Sequence, residues 1–172
     1  MKFLVFSDSH GSTHTMLRAV DLHKNTIDGV LFLGDGLYDL ISLRTARPDL
    51  AVRGVRGNCD APTFSQAGYE TLDCFTIDQI KIMMCHGHLY SVKYGTQRLL
   101  HAARAHGADI ALFGHTHHAL NQYMPPKDDS MTKGIYLCNP GAAKDGYYGI
   151  LECGPFGISF QTADIYPTIL SI

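Results

Sequence analysis

The sequence predicts an α/β chain built on two β-sheets, and three observations carry that reading. Apolar runs alternate with amphipathic helical segments through the first third of the chain, a hairpin pattern follows, and the last third reads as short strands separated by turn residues. The 172 residues suit one domain over 1–172, and 45% apolar content with 17% charged is the composition of a chain that buries a sizeable core.

Lys2 to Ser7 reads as a buried parallel strand, with Asp8-Ser9-His10-Gly11 as the loop at its carboxyl end. Ser12 to Lys24 predicts a helix, because Met16, Leu17, Ala19 and Val20 recur at helical spacing behind Ser12 or Thr13 as N-cap. The unit repeats: Gly29 to Leu33 is a strand, Gly34-Asp35-Gly36 a turn, and Leu37 to Ala46 a helix closed near Arg47-Pro48, with Leu37, Leu40, Ile41 and Leu43 inward. Leu50 to Val55 is a third strand, followed by Arg56-Gly57-Asn58-Cys59-Asp60 and Pro62. Such alternation argues a parallel sheet.

Tyr69 to Ile77 and Ile80 to Cys85 then form a hairpin about Asp78-Gln79. After His86-Gly87-His88 a helix spans about Thr96 to His106, with Leu99, Leu100 and Ala103 inward and Gly107 as C-cap. Asp109 to Phe113 returns to the sheet. Ala119 to Met124, Gly134 to Cys138, Gly146 to Cys153 and Gly157 to Ala163 are expected to make a second, antiparallel sheet, with 125–133 an exposed, mobile hairpin loop.

A net charge of −2 and a pI near 6.5 leave no basic footprint for nucleic acid, so stable nucleic-acid binding is not expected. No apolar run approaches the ~20 residues of a membrane span, and the first run is too short for a secretory leader. The expectation is a cytoplasmic protein without membrane association. The five cysteines are odd in number and lack C-x-x-C spacing. Four lie in or beside apolar runs as reduced, packed thiols, and only Cys59 falls in a candidate site.

The most informative stretch is Gly114-His115-Thr116-His117, directly after the apolar run Ile110 to Phe113. Two imidazoles at the end of a buried strand bring nitrogens that need partners. The other apolar runs end alike: Phe3 to Phe6 in Asp8 and His10, Val30 to Leu33 in Asp35, Val52 to Val55 in Asn58, and Ile82 to Cys85 in His86. Function in α/β sheets collects beyond the carboxyl ends of strands, so Asp8, His10, Asp35, Asn58, His86, His115 and His117 can converge. Seven ligands are too many for one ion. They suit two divalent ions about 3.5–4 Å apart if one carboxylate bridges, and Asp35, alone in its loop, is the choice. Mixed imidazole and carboxylate donors suit Mn, Fe, Ni, Zn or Co, with Mn²⁺ the first expectation.

Asp8-Ser9-His10, Gly34-Asp35, Gly57-Asn58, His86-Gly87 and Gly114-His115-Thr116-His117 resemble, in identity and order, the blocks of the calcineurin-like metallophosphoesterase superfamily. Within it the chain is most similar to the small YfcE-like phosphodiesterases, over essentially its whole length. The resemblance implies a four-layer α-β-β-α sandwich with two mixed β-sheets. It implies one metal on Asp8, His10, Asp35 and His117 and a second on Asp35, Asn58, His86 and His115, the latter four at the catalytic centre. The implied activity is hydrolysis of a small phosphodiester, such as a nucleotide, by in-line attack of a metal-bridging hydroxide. A homodimer or higher homo-oligomer is compatible with this reading.

Two departures qualify it. Cys59 stands where many members have a His able to protonate a leaving oxygen, although the YfcE-like branch tends to have Cys, and Ala142 follows Gly141 where relatives commonly have Ser. The missing imidazole favours a diester, with a phosphomonoesterase or nucleotide phosphatase as the alternative. The rival from another class is a non-catalytic interaction scaffold of the retromer-subunit type. Ligand completeness separates them, and all seven positions are filled.

The candidate substrate-binding residues are Arg56, as a charged fork for phosphate, His88, beside a ligand, and Cys59, whose thiol reads as a packed bystander in preference to a weak acid. Asp39 reads as helix-surface charge and Asp60 as an acceptor that orients a ligand imidazole. His14, His23, His101, His106 and His118 read as solvated side chains.

Overall fold

The computed structural model describes residues 1–126 and 133–166. Its strands are β1 (Lys2–Phe6), β2 (Gly29–Phe32), β3 (Ala51–Gly54), β4 (Leu72–Ile77), β5 (Ile80–Cys85), β6 (Ile110–Leu112), β7 (Leu120–Met124), β8 (Ile135–Asn139), β9 (Tyr147–Gly154) and β10 (Gly157–Asp164). The helices are α1 (Thr13–His23), α2 (Leu37–Ala46) and α3 (Gln97–Ala105).

One sheet runs β10-β9-β1-β2-β3 and the other β4-β5-β6-β8-β7. In the first, β1, β2 and β3 are parallel, whereas β9 is antiparallel to β1 and β10 to β9. In the second, β5, β6 and β8 are parallel, with β4 and β7 as antiparallel edges. Strand alternation then sets the layers, since neighbouring side chains face opposite ways. Val5 and Leu31 meet Ile82, Met84 and Leu112 between the sheets. Leu4, Phe6, Val30 and Phe32 face outward onto Met16 and Val20 of α1 and Leu40 and Leu43 of α2. On the far side Met83, Ala111 and Leu137 pack on Leu99, Leu100 and Ala103 of α3. The result is the α-β-β-α sandwich.

Local signals operate as expected at several points. Asp78 and Gln79 take φ of 46° and 69° between the paired Ile77 and Ile80, the two left-handed residues that a tight hairpin needs. Gly107 has φ of 62° and its N–H closes on Arg104 O, ending α3. Ile41 is corrected: Leu37, Leu40 and Leu43 form the buried line of α2, and Ile41 lies off it, 39% exposed.

The second sheet also differs from expectation. The last four strands do not pair as one sheet: β8 lies parallel beside β6, while β9 lies antiparallel beside β1. The β4–β5 hairpin and β6 open the second sheet instead of extending the first. The physical reason is burial on both faces. β8 turns Leu137 toward α3 and Cys138 toward the opposing sheet, so it needs strands on both sides. The 125–133 loop lies largely outside the described residues.

Candidate metal centre

The carboxyl ends of β1, β2, β3, β5 and β6 all point to one end of the sandwich, and each delivers its candidate residues there. The loops are cross-tied by backbone: Asp8 N–H donates to Gly34 O, His10 N–H to Asp35 O, and Gly114 N–H to His86 O. Five of the candidates, Asp8, His10, Asp35, His115 and His117, have φ between 43° and 67°. Left-handed backbone at non-glycine residues costs on the order of 1–3 kcal/mol each and persists where the surroundings enforce it. The strain is concentrated at one place.

Two groups of donor atoms result. Asp8, His10 and His117 bring ligand atoms within 4.8 Å of one another, as do Asp35, His86 and His115. Asp35 also stands within that distance of His10 and Cys59, so it belongs to both sides. His86 Nε2 lies between them, 3.2 Å from Asp35 Oδ2 and 3.8 Å from Asp8 Oδ1, without hydrogen-bond alignment to either. His117 Nε2 is 3.2 Å from Asp8 Oδ1 and His10 Nε2 3.9 Å. Asn58 is exposed beside this cluster and donates through Nδ2 to Cys59 Sγ at 3.3 Å.

Each candidate ligand is held by its other atoms. Asp8 Oδ2 accepts from Ser7 Oγ at 2.6 Å and from His115 N–H at 3.0 Å, which leaves Oδ1 free. Leu33 O faces His86 Nδ1 at 2.8 Å, so that nitrogen carries the proton and Nε2 is the donor for a cation. Asp35 Oδ1 accepts the Cys59 N–H at 2.7 Å. Close approach requires glycine at two points: a Cβ on Gly114 would strike Ser7 Oγ, and one on Gly57 would strike Asp35 Oδ1.

The fit to metal is tested by what lacks a partner. Among the described residues the buried side-chain polar atoms without a hydrogen bond are Asp8 Oδ1, His86 Nε2, His88 Nδ1 and Arg56 Nε. Buried orphans are rare, and four at one site ask for something to bind. Burial lowers the basicity of His86, but attraction to Asp35 and Asp8 outweighs it and raises its pKa. Burial alone would raise Asp35, yet His86 and the Cys59 amide hold it well below the usual carboxylate range. The site thus stabilises positive charge between its carboxylates. Burial, then the charges of His86 and Lys93, push His115 down to about 4, and burial also lowers His117, leaving lone pairs available at neutral pH. Burial raises the Cys59 thiol to about 11, with Asp35 adding to the effect.

Two expectations about carboxylates are corrected. Asp39 is buried, not a surface charge: it accepts from Ser9 Oγ, Gly11 N–H and Thr13 Oγ1 at 2.6–2.8 Å and so fixes the Asp8–His10 loop. Asp60 orients no imidazole. It accepts four backbone amides, Asp35 and Gly57 on Oδ2 and Gly36 and Leu37 on Oδ1, tying the Asp35 and Asn58 loops together and capping α2. His23 is likewise not solvated but half-buried, 3.0 Å from Tyr148 OH. Asn139 was missing from the expected set. It ends β8, fully buried, and its Nδ2 donates to Gly114 O and Thr116 Oγ1, supporting the His115–His117 turn. A polar residue at the end of the apolar run Ile135 to Cys138 was the available signal.

Residues 1–153 match the calcineurin-like phosphoesterase superfamily domain. The chain belongs to that superfamily. It is 31% identical over 146 residues to a probable metallophosphoesterase, YsnB, of Bacillus subtilis, covering 84% of this chain and 76% of that protein. Among solved structures it resembles a predicted phosphoesterase from Streptococcus pneumoniae, at 26% identity and TM-score 0.68 over 97% of this chain and 93% of the other. An archaeal phosphodiesterase shares the fold at 18% identity, TM-score 0.69, over 95% of this chain and all of the other. So does a zinc-complexed Vps29 from Entamoeba histolytica, at 21% and 0.64, over 96% and 100%. Metal-dependent phosphoesterase chemistry is the property of this superfamily. Among the described residues no helix is long and apolar enough to cross a membrane.

Proposed function

We propose that the chain is a dinuclear metal-dependent phosphodiesterase acting on a small diester such as a nucleotide. The observation that supports it most is the placement of Asp35 in ligand groups with both His10 and the His86–His115 pair, which suits a bridging carboxylate between two ions. Asp8, His10, Asp35 and His117 would hold one ion and Asp35, Asn58, His86 and His115 the other, with Mn²⁺ favoured by the mixed donors. Bound there, divalent ions supply Lewis acidity and activation of water near neutral pH.

The chain's own residues do the positioning. Ser7 and the His115 amide turn Asp8 so that Oδ1 faces inward, and Leu33 O fixes the His86 tautomer. Arg56 and His88, whose Nε and Nδ1 lack hydrogen-bond partners, are our candidates for contact with phosphate. Burial lowers the pKa of His88, and the charges of His86 and Arg56 add to this. We read Cys59, which stands where many relatives have an imidazole able to act as general acid, as a bystander to leaving-group departure. That favours diesters with good leaving groups. Asp8, His10 and His117 form one candidate ligand group and Asp35, His86 and His115 another, which supports the catalytic reading, while the likeness in fold to Vps29 fits the scaffold alternative.

The test is metal analysis of protein purified without chelator, then turnover of bis(p-nitrophenyl) phosphate and p-nitrophenyl phosphate after chelation and reloading. Mn²⁺ should restore diester hydrolysis, and Ca²⁺, which prefers oxygen ligands, should restore it poorly. Equal activity with Ca²⁺ or without metal would overturn the proposal.

A further inference from the structure

A groove of about 460 Å³ adjoins the candidate metal centre, with Val92, Lys93, Phe113, Thr116, His118 and Ala119 among its walls. It shares its wall with the site. Thr116 stands between His115 and His117, and Gly87, next to His86, packs so tightly that a Cβ there would meet Val92 at 2.8 Å. Val92 and Phe113 are almost fully buried and give the groove an apolar floor, whereas Lys93 is exposed at its edge. The volume lies in the range of small-molecule sites, about 300–1,000 Å³.

Lys93 has no ion-pair partner among the described residues, unlike Lys2, paired with Glu152, and Lys133, paired with Asp109. An unpaired cation at the edge of an apolar floor, in a groove that shares Thr116 with the site, is complementary to an organic group that carries a negative charge.

We infer that this groove holds the organic substituent of the phosphodiester and that Lys93 selects substituents bearing an anion. This rests on the phosphodiesterase reading. It names a substrate class: diesters in which one ester group is flat and apolar in its body and acidic at its far end. The apolar body covers Val92 and Phe113, and the acidic end reaches Lys93.

The experiment uses the Mn²⁺-loaded protein and three p-nitrophenyl diesters with a common leaving group, in which the second ester is methyl, phenyl or 4-carboxyphenyl. The expected order of kcat/KM is methyl, then phenyl, then 4-carboxyphenyl. Lys93→Ala should remove the advantage of the carboxylate, up to about fivefold through KM, as for a solvent-exposed charge pair, and change phenyl and methyl by less. Ala119→Trp, at an exposed position, fills the groove and should lower both aryl diesters toward methyl, by about tenfold or more. Equal values for the three esters, or variants that scale all three alike, would overturn the inference. Calorimetry provides a readout independent of turnover: 4-carboxybenzylphosphonate should bind more tightly than methylphosphonate, and Lys93→Ala should reduce the difference. If that preference holds and no diester is turned over, the phosphodiesterase reading fails and the groove assignment stands. If the preference is absent, the groove assignment fails whatever the activity.

Discussion

Asp60→Asn is the most informative single change outside the ligands, because it alters charge and one acceptor while keeping shape. Asp60 is 8% exposed and receives four backbone N–H groups at 2.8–2.9 Å. An asparagine has one carbonyl oxygen, so two of those amides must face its NH₂ group. If that group points at Gly36 and Leu37, the start of α2 loses its cap. If it points at Asp35 and Gly57, the loop carrying Asp35 is loosened. Charge-assisted hydrogen bonds contribute about 1.5–3 kcal/mol each, and a buried donor left unpaired costs about 1–3 kcal/mol. With relaxation of the loop, the expected loss is about 2–5 kcal/mol, a large share of the ~5–15 kcal/mol that stabilises an ordinary domain. Urea unfolding of metal-free and Mn²⁺-loaded protein measures it, with metal content determined alongside. The variant should lose stability in both states and hold Mn²⁺ less tightly. A loss under about 1 kcal/mol with full metal content would refute the claim that Asp60 organises these loops.

Asp35→Asn should abolish Mn²⁺-dependent diester hydrolysis more completely than His10→Ala or His117→Ala, since a bridging carboxylate offsets the repulsion of two cations; near-normal metal content and turnover would remove the bridge. Gly114→Ala should displace Ser7 and with it the Asp8 carboxylate, because the added Cβ would also lie 2.8 Å from Asp8 Oδ2; the check is reduced metal affinity in a folded protein. Cys59→His places an imidazole of ordinary pKa near ~6.5 where a general acid could serve, so monoester turnover should rise relative to activated diesters, by up to ~10²–10⁴-fold. An unchanged ratio at matched metal content would show that substrate choice is set elsewhere.

The elements themselves were legible because their signals are local. The spacing of Met16, Ala19 and Val20 marks the buried face of α1, and Asp78-Gln79 marks a hairpin whatever surrounds it. The convergence of the candidate ligands was legible for a related reason: a charged or imidazole side chain at the end of a fully apolar run has few roles in a core. Asp39 and Asp60 were not legible in the same way. Their partners are 26–30 and mainly 23–25 residues away, and most are backbone amides, which carry no side-chain signature. A carboxylate four residues along a helix from a ligand looks the same in sequence whether it faces water or a loop.

The sheet assignment and the omission of Asn139 have one cause. Alternation within 134–153 specifies which side chains share a face but not which strand lies alongside, because any neighbour with a matching apolar face satisfies it. Placed in an antiparallel meander, the strand ending at Asn139 has no fixed relation to the carboxyl ends of the parallel strands. Paired parallel to β6 through Ile110↔Tyr136 and Leu112↔Cys138, it must end beside Gly114. Its last residue then reaches the turn that presents His115 and His117, and the 3.0 Å bond from Asn139 Nδ2 to Gly114 O follows from the register. The same pairing places Pro140 to Lys144 across the centre, where the Ala143 and Lys144 amides donate to Ser7 O and Asp8 O. The small Ala142 and Ala143, both fully buried, permit that approach, so at these positions close packing on the Asp8 loop takes the place of the hydroxyl expected in relatives.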